Sequence, residues 1–94
     1  MNLPDQYVQS GGPSVVFYET PEKLLHVEIY PSNEISRMVS AMNEKSKSRF
    51  KILGAFRGCN NSFLEKCVQY SGKKLVSTPT KDELLALLLY EGKL

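Results

Sequence analysis

Short segments of strand-like or helical pattern, each bounded by residues that break regular structure, constrain the fold of this chain most strongly. Residues 15–19 and 24–30 are rich in β-branched and aromatic side chains, and a Thr-Pro-Glu-Lys turn separates them. In the second segment apolar residues alternate with His26 and Glu28, which is typical of a half-buried strand. The sequence therefore predicts an N-terminal antiparallel hairpin.

Helical and strand-like patterns alternate through the rest of the chain. Apolar residues spaced i, i+3, i+4 and i+7 from Ile35 predict a helix that ends near Glu44 or Lys45. Residues 50–56 predict a more central strand because they are nearly continuously apolar, and residues 74–78 predict a short strand. The apolar face of the helix consists of Ile35, Met38, Val39 and Met42.

Two capping motifs predict the remaining helices. Ser62 and Thr80 are each followed by a glutamate three residues later, so each fits the capping box at a helix N-terminus. Gly72 suits the position after the first of these helices, since glycine adopts a positive φ without a steric penalty. The second helix is expected to run to Leu89 or Tyr90, and Gly92 can end it.

Together these elements predict one α/β (or α+β) domain with the order ββαβαβα. A chain of 94 residues has room for a single small domain, which we assign to residues 15–94. The glycine and serine cluster that ends residues 1–14 indicates a flexible N-terminal lead-in. The C-terminal βαβα run favours parallel strand pairing, because helical crossovers connect parallel strands.

Charge is distributed unevenly along the chain. Residues 1–44 carry six acids and two bases, a net charge of −4, whereas residues 45–94 carry ten bases and four acids, a net charge of +6. Eight bases and one acid lie within residues 45–74. Such asymmetry favours an anionic partner, and the alternative is a solvated surface on which the two signs are unevenly spread.

Basic residues occupy every second position from Lys45 to Lys51, so in an extended segment they line one side. If strands 50–56 and 74–78 are neighbours, the bases flanking both surround one sheet end and contact the phosphates of RNA or DNA. The alternative is edge protection, since lysines on an exposed strand discourage pairing with another chain. The predicted contacts are Lys45, Lys47, Arg49, Lys51, Arg57, Lys73 and Lys74, with Asn60 and Asn61 as polar readers.

The loop from Arg57 to Ser62 is the best candidate for a discrete ligand site, and the alternative is an ordinary strand-to-helix turn with its usual glycine and asparagine residues. It leads into a helix, Gly58 permits close backbone approach, and free N–H groups at the helix N-terminus can hold a phosphate. Cys59 is expected to have a lowered thiol pKa there, but the chain's one histidine, His26, lies on a predicted strand and offers it no base. We therefore expect a non-catalytic protein. An enzyme that acts on a phosphate-bearing ligand through this loop ranks third, after nucleic-acid binding and the protein-interaction module described below.

The cysteine and histidine counts argue against a metal site and a disulfide framework. Cys59 and Cys67 are eight residues apart, and one histidine cannot complete a four-ligand zinc site with them. We expect no cofactor and no metal, and two cysteines in so short a chain favour a reducing, cytoplasmic location. Neither a signal peptide nor a membrane span is expected, since the longest apolar run, 84–90, has seven residues.

Leucines surround much of the last predicted helix instead of lining one face. A helix that is apolar on all sides is buried on both sides, either in a groove of its own sheet or against a partner. The alternative function is therefore a protein-interaction or regulatory module that forms a homodimer or docks on a protein partner through this helix. The predicted interface residues are Leu85, Leu88 and Leu89.

Two stretches resemble parts of nucleic-acid-binding families. Residues 51–89 resemble the later part of the kink-turn-binding ribosomal proteins, where a strand, a helix and a short strand lead into a Thr/Ser-Lys-x-Glu-Leu helix start, here at Thr80. The Phe-Arg-Gly element at Phe56 resembles that of Alba-like proteins. Both resemblances imply RNA or DNA binding. Residues 15–50 lack the Gly-x-Asn-Glu signature of the first family, and the chain ends in a predicted helix where Alba-like proteins have a long hairpin.

Overall fold

Three antiparallel strands form one sheet with the strand order β2-β1-β3. The computed structural model describes residues 2–90, and the predicted role of Gly92 in ending the last helix lies outside them. A 3-10 turn at Asp5–Tyr7 precedes the sheet. The strands are β1 (Ser14–Glu19), β2 (Leu25–Tyr30) and β3 (Lys51–Phe56), and the helices are α1 (Ile35–Lys47), α2 (Asn61–Tyr70) and α3 (Lys81–Leu89).

β1 is the central strand, and all six of its residues are buried. Helix α1 covers one face of the sheet and α2 and α3 cover the other. Val16 and Tyr18 therefore pack with α1, while Val15 and Phe17 pack with α2 and α3. Burial on both faces explains why residues 15–18 are apolar at successive positions. The mixed α/β class is confirmed, whereas β3, predicted to be more central, is an edge strand.

A β-bulge changes which side chains of β3 reach the core. Gly54 pairs with Phe17, whereas Ile52 pairs with the very next residue of β1, so Leu53 is the extra residue between them. Leu53 and Phe56 consequently both belong to the core beneath α2 and α3. In a regular strand two residues three positions apart face opposite sides of the sheet.

Helix α1 presents one apolar face to the sheet. Met38 is buried, and Ile35 and Met42 are half-buried against the same cluster, which confirms these three predicted positions. Val39, also predicted for this face, is 47% exposed. The helix ends at Lys47, later than predicted.

The predicted strand at 74–78 does not form. One isolated bridge, from Lys74 to Leu24, joins this segment to the chain just before β2. The segment then leaves the sheet: Val76 is fully exposed, and Pro79 has no N–H to donate to a ladder. The expected parallel pairing is therefore wrong, since every strand pair in residues 2–90 is antiparallel.

The two predicted capping boxes have different outcomes. Thr80 Oγ1 accepts a hydrogen bond from the Glu83 N–H at 3.1 Å, and Glu83 accepts one from the Thr80 N–H at 2.9 Å, so this box is confirmed. Ser62 is wrong as an N-cap, because the Asn60 side chain caps α2 by accepting a backbone N–H at 3.0 Å. Gly72 follows α2 with φ of 87°, as predicted.

The segment before β1 packs against the loop that follows β3. The Gln9 N–H donates to the Gly58 carbonyl at 2.8 Å, and the Asn60 N–H donates to the Tyr7 carbonyl at 3.0 Å. These bonds anchor part of the stretch expected to be a flexible lead-in. They also place it directly beside the loop that sequence analysis favours as a ligand site.

Candidate functional site

Basic side chains line one open edge of the sheet. β3 pairs with β1 on one side, and no other strand of the described residues pairs with its outer side. Arg49 precedes β3, Lys51 begins it and Arg57 follows it, and all three are exposed. Lys51 and Arg57 are about 17 Å apart along this edge, because the bulge at Leu53 leaves about five ladder positions between them and each rises about 3.3 Å. These three residues and Lys81 of α3 are called the basic edge.

The turn between α1 and β3 holds Arg49 in the left-handed region, with φ of 69°. The N–H groups of Ser48 and Phe50 both donate to the Lys45 carbonyl, at 3.0 and 3.1 Å, which ends α1 and reverses the chain. Glycine is the usual residue in such a turn, because a Cβ there costs about 1–2 kcal/mol. An arginine at this position points to a role for its side chain.

Lys81 lies outside the basic segment 45–74, and packing alone brings it to β3. Its side chain crosses the strand over Gly54, where a Cβ would lie 3.2 Å from Lys81 Cγ. Its Nζ lies 4.7 Å from the centre of the Phe56 ring. No sequence spacing connects Lys81 to β3, so sequence reasoning missed it.

Acidic residues are scarce around the basic edge. Residues 45–64 contain five bases and no acid. Within residues 2–90, Lys51 lies 4.0 Å from the Glu19 carboxylate, whereas Arg49 and Arg57 form no ion pair. Along β3 and its flanking turns Glu19 is therefore the one counter-ion among the described ion pairs, whereas Lys81 is followed directly by two acids, Asp82 and Glu83.

That counter-ion, Glu19, is only 2% exposed at the end of β1. Thr78 Oγ1 donates to its carboxylate at 2.7 Å and Lys23 Nζ donates at 3.0 Å. The Thr78 hydrogen bond, together with Lys23 and Lys51, lowers the pKa of Glu19 although burial opposes this. The carboxylate stays ionised and anchors the irregular segment before α3 to the sheet.

Lys45 and Lys47 are helical, so the expected extended run of alternate bases is wrong for these two residues. Lys45 Nζ lies 3.4 Å from Glu28 and 4.7 Å from the centre of the Phe50 ring. Lys47 is 75% exposed and lies 3.6 Å from Glu44. The Lys45 side chain is thus held between α1 and the sheet by Glu28 and Phe50. Lys47 is exposed to solvent near the basic edge.

Lys73 and Lys74 lie at the opposite edge of the sheet. The Lys73 carbonyl accepts from the Leu25 N–H of β2 at 2.9 Å, and Lys74 Nζ donates to the Glu22 carbonyl at 3.0 Å. Two strands, β1 and β2, separate them from β3. The two groups of bases therefore do not converge on one sheet edge, as they would if 74–78 paired with β3.

The two predicted polar readers differ in availability. Asn60 caps α2 with its carbonyl oxygen, and its Nδ2 donates to the Gln6 carbonyl at 2.7 Å. Asn61 is exposed at the first position of α2. Asn60 thus holds the loop in shape, and Asn61 is the one that faces solvent.

The thiols are buried and do not have the reactivity expected of Cys59. Cys59 Sγ donates to the Phe56 carbonyl at 3.5 Å, and burial raises its pKa to about 11. The expected lowering of the Cys59 pKa is therefore wrong, because the side chain is buried in the core. Burial raises the pKa of Cys67 to about 12, and the nearby Cys59 thiol adds to this because two neighbouring thiolates would repel each other. Neither cysteine forms a disulfide.

A second polar cluster surrounds Glu28 beneath α1, where the alternation of β2 places its polar face. The Tyr30 hydroxyl donates to Glu28 at 2.7 Å, and His26 Nε2 and Lys45 Nζ lie 3.1 and 3.4 Å away. Burial opposes ionisation, but these partners lower the pKa of Glu28 overall. The Tyr18 hydroxyl, buried nearby, has no hydrogen-bond partner in the described part of the chain, and burial raises its pKa to about 12.

The leucines of α3 lie in the core of the domain itself. Leu85 and Leu88 are fully buried, and Leu89 is half-buried against the same cluster. Helix α3 contacts both α2 and β3, so it occupies a groove of its own domain. In this conformation Leu85 and Leu88 have no surface to offer a partner.

Among residues 2–90, no group of three or more His, Cys, Asp and Glu side chains could hold a metal ion. None of the helices in that range is long and apolar enough to cross a membrane. No protein-family model, curated protein or solved structure matches this chain. Its function therefore has to be argued from the geometry of its own surface.

Proposed function

We propose that this protein is a small non-catalytic binding protein that contacts the phosphates of RNA or DNA through the basic edge. The observation that supports this function is the alignment of four cations, Arg49, Lys51, Arg57 and Lys81, along one open sheet edge. The chain around three of them, residues 45–64, contains no acid. Clustered cations of this kind are the electrostatic footprint of phosphate recognition.

The dimensions of the basic edge suit a polyphosphate backbone. Each strand of duplex DNA presents one phosphate about every 3.4 Å of helix axis. The part of the edge from Lys51 to Arg57, about 17 Å long, covers the axial rise of about five phosphates of one strand, and only some of these face it because the strand winds around the axis. The four cations can therefore contact at most four phosphates. Because counterions are released on binding, the affinity should depend steeply on salt.

Protection of the edge strand against pairing with another chain is the competing explanation of these bases. It accounts for Lys51, which lies within β3. It does not account for Arg57, which lies beyond the strand, or for Arg49, which precedes it in a strained conformation. Neither residue belongs to the ladder that an added strand would extend.

The test measures binding of fluorescently labelled single-stranded RNA, single-stranded DNA and duplex DNA by anisotropy at several salt concentrations. Four contacts to a single strand predict that log K falls with log salt with a slope of about −2.8. The double variant Arg49→Gln with Arg57→Gln should bind more weakly and show a slope of about −1.4. The three nucleic acids distinguish RNA from DNA and single strands from duplexes.

A matched control removes two charges from the opposite sheet edge, through Lys73→Gln with Lys74→Gln. Because β1 and β2 separate these residues from β3, this variant should keep most of the affinity and the full salt slope. Equal losses in the two double variants would mean that binding follows net charge alone. Binding of the unaltered protein that is insensitive to salt would also overturn the proposal.

The proposed location is the cytoplasm, a reducing compartment. The support is that Cys59 and Cys67 are both free and buried, as expected where thiols stay reduced. A thiol titration of the protein isolated under non-reducing, denaturing conditions should find both groups. An intermolecular disulfide through either cysteine would contradict this location.

A further inference from the structure

A small hollow lies at the end of the basic edge, beside the last residues of β3. It has a volume of about 190 Å³, well below the roughly 300 Å³ at which pockets for whole small molecules begin. Arg57 and Lys81 both line it, and none of its described lining residues is acidic. The described lining residues are Asn2, Leu3, Ala55, Phe56, Arg57 and Lys81.

The fold positions the Lys81 ammonium at this hollow by two contacts. Gly54 has no side chain, so the methylene chain of Lys81 lies flat across β3. The Phe56 ring then holds the ammonium, with Nζ 4.7 Å from the ring centre. The position of this cation is therefore set by β3, although the residue belongs to α3.

Arg57 supplies a second cation to the same lining. It immediately follows β3 and is exposed, and within residues 2–90 neither Arg57 nor Lys81 forms an ion pair. Guanidinium groups bind phosphate oxygens with two parallel N–H donors, and an ammonium adds a point charge. Two cations that have no ion-pair partner among residues 2–90 thus line a space sized for one small anion.

We infer that Arg57 and Lys81 form a site for a phosphate monoester. A monoester carries a charge of about −1.5 to −2 at neutral pH, which matches two cations, whereas an internal phosphodiester carries −1. If the proposed function holds, the phosphate monoester is the terminal phosphate of a nucleic-acid strand, so this part of the inference rests on that function. A free phosphate or a small phosphorylated molecule is the other source of the same chemistry.

The first measurement uses inorganic phosphate, so it does not depend on nucleic-acid binding. Addition of phosphate at pH 7.5 should shift the NMR signals of the Arg57 side chain and of the backbone around Lys81. The shifts should weaken at about pH 5.5, where phosphate is mostly a monoanion. Absence of any shift at these residues at pH 7.5 would overturn the site.

The second measurement compares oligonucleotides that carry a phosphate or a hydroxyl at the 5′ end, and likewise at the 3′ end. A strand with a terminal phosphate should bind about tenfold more tightly, the equivalent of one charge-assisted hydrogen bond. Lys81→Gln should remove this preference, and Lys66→Gln, at a half-buried position on α2 that does not line the hollow, should leave it intact. An unchanged preference in Lys81→Gln would overturn the assignment.

Gly54→Ala tests the positioning of Lys81 without removing a charge. The added methyl group lies 3.2 Å from Lys81 Cγ, so the methylene chain must move by a few tenths of an ångström and the preference for a terminal phosphate should weaken. Alanine is tolerated in a strand at least as well as glycine, so the variant should remain folded. If this variant keeps the whole preference for a terminal phosphate, the space above Gly54 is not what positions the Lys81 ammonium.

The two measurements separate failure of this inference from failure of the proposed function. Oligonucleotide binding without an end preference, and without a phosphate shift, overturns the monoester site alone. A phosphate shift at Arg57 and Lys81 without oligonucleotide binding supports the site with a free phosphate or a small phosphorylated molecule as its ligand. That second result overturns the proposed function alone.

Discussion

Two basic residues adopt the left-handed backbone conformation in which glycine is easiest to accommodate. Lys23 and Arg49 have φ of 67° and 69°. Lys23 has a structural reason to be there, because its ammonium bonds to the buried Glu19 carboxylate at 3.0 Å. Arg49 forms no ion pair within residues 2–90, and its side chain is exposed. Both side chains are exposed and share the same backbone strain, and they differ in that only Lys23 has an ion-pair partner within residues 2–90.

Arg49→Gly should raise the free energy of unfolding by about 0.5–1 kcal/mol. Relief of the Cβ strain contributes about 1–2 kcal/mol, and the greater freedom of glycine in the unfolded chain offsets part of it. Urea denaturation measures the change, and Lys23→Gly is the matched control. The control relieves the same strain but loses the Glu19 bond, so it should show no gain. A loss of stability in Arg49→Gly would mean that the arginine serves the fold.

Glu19→Gln should lower the free energy of unfolding at pH 7 by about 1–3 kcal/mol, because a buried, charge-assisted hydrogen-bond acceptor becomes neutral. Folding lowers the pKa of Glu19 from 4.5, so its stabilising contribution is present above about pH 4.5. That contribution is lost as the pH falls through the pKa of the folded state.

Chemical denaturation at pH 7 and at about pH 3 tests this dependence. The difference in stability between the unaltered protein and Glu19→Gln should narrow at the lower pH. Glu44→Gln serves as the control, since Glu44 is 76% exposed and should show little difference at either pH. An equal difference at both pH values would contradict a linkage through Glu19.

Helix α2 shows how neighbouring sequence signals for one element compete. The Ser62 motif fits a capping box, yet the chain enters the helix earlier and uses Asn60. The N-terminal segment decides the outcome, because the Gln6 carbonyl accepts a hydrogen bond from Asn60 Nδ2 and orients the amide. The Asn60 carbonyl oxygen is then aligned with the Phe63 N–H. A contact across 54 residues thus selects a local cap.

Asn60→Ala should lower the free energy of unfolding by about 1–2 kcal/mol, because α2 loses its cap and the N-terminal segment loses its tie. Ser62→Ala, the matched control two residues later, should change stability by no more than about 0.5 kcal/mol. Both variants are compared by thermal and urea unfolding followed by circular dichroism. Equal losses, or a larger loss for Ser62→Ala, would contradict the assignment of the cap.

For the molecule as a whole, the burial of α3 determines which surfaces remain available. The radius of gyration, 12.6 Å, is close to the value of about 12 Å expected for a compact chain of this length. The groove between α2 and β3 receives the leucines that the sequence pattern associates with a partner. The basic edge, on the outer strand, stays open to solvent.

Leu88→Ala should lower the free energy of unfolding by about 2–5 kcal/mol, because it leaves a cavity in the core. The unaltered protein should elute as a monomer in size-exclusion chromatography with light scattering. Tyr90→Ala, at a position 57% exposed, should leave both properties nearly unchanged. A dimer that Leu88→Ala dissociates without loss of stability would instead support the predicted interface.

Local patterns predicted much of the fold but less of the candidate site. The hairpin, the apolar face of α1 around Met38 and the Thr80 capping box follow from interactions within a few residues, and the structure contains all three. The prediction of a strand at 74–78 was wrong because strand-like composition does not supply a pairing partner. For the same reason, the two groups of bases predicted to converge lie on opposite sheet edges.

The sequence by itself determined the mixed α/β class, the helix and strand periods and the excess of positive charge after residue 45. These depend on hydrophobic spacing and local hydrogen bonding, which act over a few residues. Only the tertiary structure decided that β3 lies at an edge and that Lys81 crosses Gly54 to join Arg57. Strand order and helix docking depend on which surfaces bury one another across the chain, and no local pattern specifies that choice.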